Sequence, residues 1–274
     1  MSPALATRRV LRARRGGPAR RAADQLAVEE PLEIRVEGRP VAVTMRTPGH
    51  DAELAAGFLL TEGVIARAAD IFEISSCGVA DAGDARNVIE VTLRRPGTVD
   101  FMRLTRHVFS SSSCGVCGKA TIEAVQVRHP PLTPDEGLLE FSGRRLAQLP
   151  ARLAAGQAGF RRTGGLHAAA LFDARGRLRV LCEDVGRHNA VDKALGHALL
   201  ADGGVLAQSG LLVSGRISFE IAQKALAARI AVIAGISAPT SLAVDFARAS
   251  GQTLIGFLRA GRHNVYAGPE RLRC

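Results

Sequence analysis

Residues 167–213 read HAAALFDARGRLRVLCEDVGRHNAVDKALGHALLADGGVLAQSGLLV, and the fold class is decided there. An apolar run, His167–Phe172, meets a turn at Asp173–Gly176 and continues as a second strand, Arg177–Cys182. A helix is predicted over Ala190–Ala201, and a third strand over Leu211–Val213. Downstream the alternation persists: helix Ser218–Arg229, strand Ala231–Ala234, helix Thr240–Ser250 and strand Thr253–Phe257. Strands separated by helices of about 10–12 residues define a layered α/β unit. In such sheets ligands collect at the loops beyond the strand ends.

Upstream, a helical stretch is predicted from Asp135 to Ala155, with breaks at Gly143 and Pro150. Before it, His129-Pro130-Pro131-Leu132-Thr133-Pro134-Asp135 places three prolines in five residues, which resist helix and sheet alike. A domain boundary is set there. Between residues 29 and 130 the chain reads as a smaller mixed α+β domain. Leu32, Ile34 and Val36 alternate with charged residues, Glu37-Gly38-Arg39-Pro40 turns, and Val41, Val43 and Met45 alternate again as the second arm of a hairpin. Asp51 is placed as the cap of a helix to Leu60, with Leu54, Phe58 and Ala55 on its buried face. Strands follow at Ile71–Ser75 and Val88–Leu93, the last ended by Arg95-Pro96-Gly97.

The chain has 274 residues and a net charge of +10. Seven arginines and no acids fall within residues 1–23, so the rest is nearly balanced. Residues 1–28 are accordingly expected to be a disordered basic arm, and neither nucleic acid nor membrane is expected as a partner. Thr7-Arg8-Arg9-Val10-Leu11-Arg12 has the look of an export signal, but the apolar stretch it needs is replaced by Ala13-Arg14-Arg15-Gly16-Gly17-Pro18. The longest uncharged apolar run, Ile230–Val244, is short for a span and holds Pro239. A cytoplasmic location is expected, and with it thiols rather than disulfides at Cys77, Cys114, Cys117, Cys182 and Cys274.

Four stretches carry chemistry. Ser110–Lys119, SSSSCGVCGK, sets Cys114 and Cys117 at i and i+3 between glycines, where Lys119 and turn amides favour the thiolate. Two thiols fall short of the four ligands of structural zinc, and no second pair exists, so no metal site is expected. A redox dithiol, a sulfur carrier and a pair of structural thiols remain open. Cys182–Lys193, CEDVGRHNAVDK, joins a strand to a helix whose N-terminus, with Gly186, Arg187 and His188, suits an anion. A solvated, salt-bridged helix start fits the same composition. Leu212–Glu220, LVSGRISFE, repeats the strand-to-helix junction with Arg216, without the lysine of a P-loop. In Phe257–Tyr266, FLRAGRHNVY, two arginines flank Gly261 and suit phosphate or the edge of guanine; an ordinary basic loop is the plain alternative.

Together these motifs, with Gly164–Ala170 and Glu53–Gly63, resemble the FdhD family of formate dehydrogenase accessory sulfurtransferases, over roughly residues 30–272. The resemblance implies a protein that takes sulfur from a cysteine desulfurase. It passes that sulfur to the molybdenum cofactor in its bis-molybdopterin guanine dinucleotide form, bound by a homodimer as cargo for the formate dehydrogenase catalytic subunit. It also implies a cytidine-deaminase-like fold for residues 131–274 without the zinc site, since Ala168-Ala169 follows His167 and no Pro-Cys-x-x-Cys occurs. Carried over by position, the persulfide falls on Cys114 with Cys117 as its partner. The guanine-nucleotide contact falls on Phe257, Leu258, Arg259, Ala260, Gly261 and Arg262. His188, Asn189 and Arg216 are placed near the cofactor from their strand-end positions. A cofactor escort without transfer chemistry, and a thiol–disulfide oxidoreductase, are the competing functions.

Overall fold

The basic N-terminal stretch pairs with itself. In the computed structural model, which describes residues 4–76, 87–101, 129–133, 136, 140–202 and 204–273, strands β1 (Leu5–Arg12) and β2 (Arg20–Ala27) form an antiparallel hairpin in unbroken register. The expected disordered arm is therefore corrected. A run of arginines argues for disorder only by composition, whereas Gly16 adopts the left-handed backbone that closes the turn, and Arg12 pairs with Asp24 across the ladder. Arg162 Nε ties the hairpin to the body by donating to Gln25 Oε1 at 2.7 Å.

β3 (Glu30–Val36) and β4 (Arg39–Arg46) are joined by Glu37-Gly38, both at positive φ as a tight two-residue hairpin requires. Leu32, Ile34, Val36 and Val41 are buried, but Val43 and Met45 are exposed, contrary to the simple alternation. Ile34 pairs with Ala42 and Arg35 with Pro40, so Val41 is the extra residue of a bulge and every later side chain changes face. β5 (Ile71–Ser76) and β6 (Val88–Leu93) complete a four-stranded sheet of order β4-β3-β6-β5. Helix α1 (Asp51–Thr61) crosses it. Its cap position is His50, in left-handed backbone, while Asp51 sits in the first turn and receives Arg46 through both carboxylate oxygens (2.9 and 3.0 Å).

After β7 (Phe141–Ser142) the stretch predicted as helix to Ala155 holds two short helices, α2 (Gly143–Leu146) and α3 (Leu149–Gly156), and α4 (Ala158–Thr163) follows beyond it. The expected interruptions at Gly143 and Pro150 are instead helix starts, Gly143 opening α2 and Pro150 standing in the first turn of α3, where its missing N–H costs nothing; the gaps fall at Ala147-Gln148 and at Gln157. The layered α/β architecture follows as expected: β8 (His167–Phe172), β9 (Leu178–Asp184), α5 (Arg187–Asp202), α6 (Gly204–Ala207), β10 (Gly210–Val213), α7 (Phe219–Ala227), β11 (Val232–Gly235), α8 (Ser241–Ala249) and β12 (Thr253–Arg259). β13 (Arg262–Ala267) adds an antiparallel edge, and β14 (Leu272–Arg273) lies parallel to β7. The sheet order is β13-β12-β11-β10-β8-β9, with β10, β11 and β12 parallel.

The period of two divides the core cleanly. Ala169, Leu171, Leu211, Val213, Ile233 and Leu254 face α5, α7 and α8, whereas Ala168, Ala170, Phe172, Leu212, Val232, Ala234 and Ile255 face Phe141 and the helices α2 and α3. The first of these clusters continues without a break through α1 into Leu32, Ile34, Ile89 and Val91 of the smaller sheet. Two glycines make this possible. A Cβ at Gly57 would lie 1.9 Å from the Asp192 carbonyl oxygen, and one at Gly196 would lie 1.9 Å from that of Glu53. The antiparallel helices α1 and α5 are thus in backbone contact.

Candidate functional site

The parallel strands β10, β11 and β12 end at one edge of the sheet, where antiparallel β8 begins and β9 ends. This edge collects His167, the Asp184–Arg187 turn, Ser214-Gly215-Arg216 and Ile236-Ser237 around a cleft of about 740 Å³. Phe160 and Leu153 supply apolar wall. Ser214 is fixed by its neighbour strand: its Oγ accepts from the Ala168 amide at 2.9 Å, and its own amide donates to the Ala168 carbonyl.

Of the residues lining this cleft, Arg187 carries a buried polar atom, Nε, that finds no hydrogen-bond partner among the described residues. An unmet guanidinium nitrogen on a cleft-lining arginine suits an anionic ligand. Burial pushes the His167 imidazole below its usual pKa, and the nearby Arg187 and His188 push the same way, so His167 stands neutral beside the cationic Arg187. His188 points elsewhere, with Nε2 2.7 Å from Glu220 Oε2. Burial works to raise the Glu220 carboxyl, but the His188 hydrogen bond and charge, with Lys224 and Arg187 behind them, hold it below the ordinary carboxylate value.

The turn carrying Arg187 is anchored from beneath by Asp184, which is fully buried. One carboxylate oxygen receives Lys193 Nζ at 2.7 Å and the Thr47 amide at 3.1 Å; the other receives the Gly186 amide at 2.8 Å and Asn189 Nδ2 at 3.1 Å. Lys193 also donates to the Thr47 carbonyl, and Asn189 binds the Met45 carbonyl and the Thr44 hydroxyl. The carboxamide of Asn189 is thereby taken up in joining α5 to the end of β4. A second buried pair, Asp192 with Lys224 at 2.8 Å, takes in the Thr61 hydroxyl of α1.

At the end of β12 the ladder to β13 is irregular between Gly256 and Arg259, and Phe257 adopts φ 51 with its ring 42% exposed. A phenylalanine in left-handed backbone is costly, and here it throws the ring outward at the sheet edge. The Phe257 amide donates to the carbonyl of Ser237, a cleft residue. Arg259 Nη1 reaches the Ile236 carbonyl at 2.5 Å. Ala260, Gly261 and Arg262 are exposed, while Leu258 is fully buried in the second core cluster. Arg216 is exposed on the cleft rim.

Three of the four sequence motifs thus meet at one edge. The fourth, with Cys114 and Cys117, lies outside the described residues. Cys182 is described and inert: burial above all pushes its thiol up to about 12, Glu53 and Asp184 adding to the effect against Lys193. The sequence reading singled out neither His167 nor Ser237 as a site residue, although each sits at a strand end. A larger cavity, about 840 Å³, lies elsewhere, between the Ile65–Arg67 turn, Arg94 and the Arg229–Glu136 pair, and its described lining includes no residue of the four chemistry-bearing stretches.

Fold and cleft define an α/β protein with an arginine-lined cleft at the carboxyl edge of its sheet. The chain belongs to the FdhD/NarQ family, whose sequence profile matches residues 27–273. It is similar to proteins named sulfur carrier protein FdhD from Streptomyces avermitilis, 50% identical over 267 residues (97% of this chain and 94% of that one), and from Mycobacterium tuberculosis, 50% identical over 258 residues (91% and 92%). Among solved structures it resembles a protein assigned as a formate dehydrogenase accessory protein from Desulfotalea psychrophila. That match has a TM-score of 0.77 at 26% identity and covers 99% of this chain and 100% of that one.

Proposed function

We propose that this chain is a sulfur carrier in formate dehydrogenase maturation, taking sulfane sulfur from a cysteine desulfurase onto Cys114 and delivering it to a guanine-dinucleotide form of the molybdenum cofactor held as cargo by a homodimer. The observation that carries the cargo half is the unmet Nε of Arg187 in a cleft rimmed by Arg216, next to the outward ring of Phe257. Guanidinium forks pair with pyrophosphate, and an exposed ring at the same edge suits a planar base. Arg259 and Arg262 extend the positive rim. His188, braced by Glu220, and Asn189, braced by Asp184, support the helix start that presents Arg187.

The sulfur half rests on the Cys114–Cys117 pair and on relatives named for sulfur carriage at 50% identity. The Cys114 thiolate attacks the outer sulfur of the donor's persulfide, a new S–S bond forms, and the donor's cysteine leaves as thiolate. Attack of Cys117 on Cys114 then releases the outer sulfur as hydrosulfide and leaves a disulfide, which a cellular thiol reduces for the next round. The burial of Cys182, which pushes its thiol up to about 12, supports placing the carrier role elsewhere.

Intact-mass spectrometry after incubation with a cysteine desulfurase and cysteine tests the chemistry. The expected result is a gain of about one sulfur atom, abolished in Cys114→Ala. Full gain in that variant overturns the assignment. For the cleft, Arg187→Ala should weaken binding of a guanine nucleoside diphosphate about tenfold or more, and unchanged affinity would remove the cleft from the reading.

A further inference from the structure

On the α1–α5 contact, away from the cleft, lies a cluster that the sulfur chemistry does not use. His50 Nδ1 lies 3.0 Å from Glu53 Oε1, and His197 Nδ1 lies 3.6 Å from the same oxygen. Among the described residues, these three form the group whose donor atoms all fall within 4.8 Å of one another. We propose that His50, Glu53 and His197 bind a divalent first-row transition ion of the zinc type, pinning α1 to α5.

The geometry argues for more than a helix-start ion pair. Such a pair needs only His50 and Glu53, one turn apart on α1. The third donor comes from a helix 144 residues further along the chain, and the backbone contact at Gly196 brings it in by setting the Glu53 carbonyl against the residue preceding His197. Tetrahedral zinc with bonds of 2.0–2.1 Å spaces its donor atoms about 3.3 Å apart. The spacings of 3.0 and 3.6 Å straddle that value, and rotation of the half-exposed His50 ring closes the remaining one. His50 makes no side-chain cap to α1 despite occupying the cap position, and its ring meets that of His197 edge-on at 6.2 Å.

Two imidazoles and one carboxylate suit zinc, cobalt or nickel, and three protein donors leave a coordination position open to water. His197 lies ten residues, about 15 Å along α5, from Arg187, so this site is separate from the anion cleft.

The test uses the full chain carrying Cys114→Ala and Cys117→Ala, so that the paired thiols cannot supply ligands. Titration with Co²⁺ should give visible d–d bands without thiolate charge transfer, at one ion per chain, and Zn²⁺ should displace the cobalt. His197→Ala and Glu53→Gln should each weaken binding a hundredfold or more, while retaining the circular dichroism and melting temperature of the parent in EDTA. At a Zn²⁺ concentration a hundred times Kd, the melting temperature of the parent should rise by about 5 °C, and that rise should vanish in His197→Ala. No cobalt spectrum in the parent, a spectrum dominated by thiolate, or unchanged affinity in both variants overturns the proposal.

Discussion

Replacing Lys193 by methionine should cost more stability than any surface change in this protein. The ammonium group is 1% exposed and the carboxylate it meets, on Asp184, is 0% exposed, at 2.7 Å. Methionine has nearly the same length and fills the same space, so the loss is one of charge and hydrogen bonding rather than packing. Asp184 keeps the amides of Thr47 and Gly186 and the carboxamide of Asn189, but its charge stands unneutralised, and the Thr47 carbonyl loses its donor. Breaking a buried pair from one side costs about 3–5 kcal/mol. At 2–4 °C per kcal/mol this corresponds to a fall in Tm of about 6–20 °C. Equilibrium urea unfolding followed by far-ultraviolet circular dichroism measures it. The companion variant Asp184→Asn with Lys193→Met removes both charges and should recover about half the loss or more. A single-variant cost below about 1 kcal/mol, or a double variant no better than the single, would refute the view that charge pairing holds the Thr44–Thr47 segment to α5.

Cys182 should resist alkylation in the folded chain, reacting about a thousandfold more slowly at pH 8 than a free cysteine and at the ordinary rate in urea, as peptide mapping would show; comparable rates in both states would contradict its burial. Phe257→Gly should stabilise the fold by about 0.5–1 kcal/mol by relieving a left-handed backbone, while weakening guanine-nucleotide binding. Loss of stability in urea unfolding would show that the ring, not the backbone, dominates there. For Glu220 the folded carboxyl lies below its unfolded value, so its contribution is complete above the unfolded value and is lost as pH falls through the folded one. Glu220→Gln should therefore lower stability at pH 7, and the gap to the parent should close on acidification below about pH 4; a gap independent of pH would break the link to His188.

The sheets were legible because their strands obey the period of two. Val88–Leu93 buries Ile89, Val91 and Leu93, as the alternation predicts. The same rule misled at Val43 and Met45, because one bulge residue reverses all later faces without leaving a mark in composition. It missed β13, whose pairing to β12 is broken by the shift around Phe257. The candidate site was legible in outline, since strand ends of an α/β sheet share an edge and the motifs at Asp184, Ser214 and Phe257 all lie there. What stayed hidden was tertiary. Nothing local to Thr47 announces that its amide and carbonyl complete the environment of Asp184 and Lys193, and nothing local to Glu53 announces His197.

The contact between α1 and α5 also sets a timetable for synthesis. Gly57 rests on Asp192, 135 residues later, and Glu53 on Gly196, 143 residues later. At ribosomal rates of 5–20 residues per second, α1 waits roughly 7–30 s after emerging before its partner exists. Throughout that interval Leu54, Leu59 and Leu60, all buried in the finished molecule, have only the small four-stranded sheet to lie against. The nascent chain therefore has a long aggregation-exposed phase, and mutations that weaken β3 or β6 should reduce soluble yield more than their effect on the finished fold would suggest.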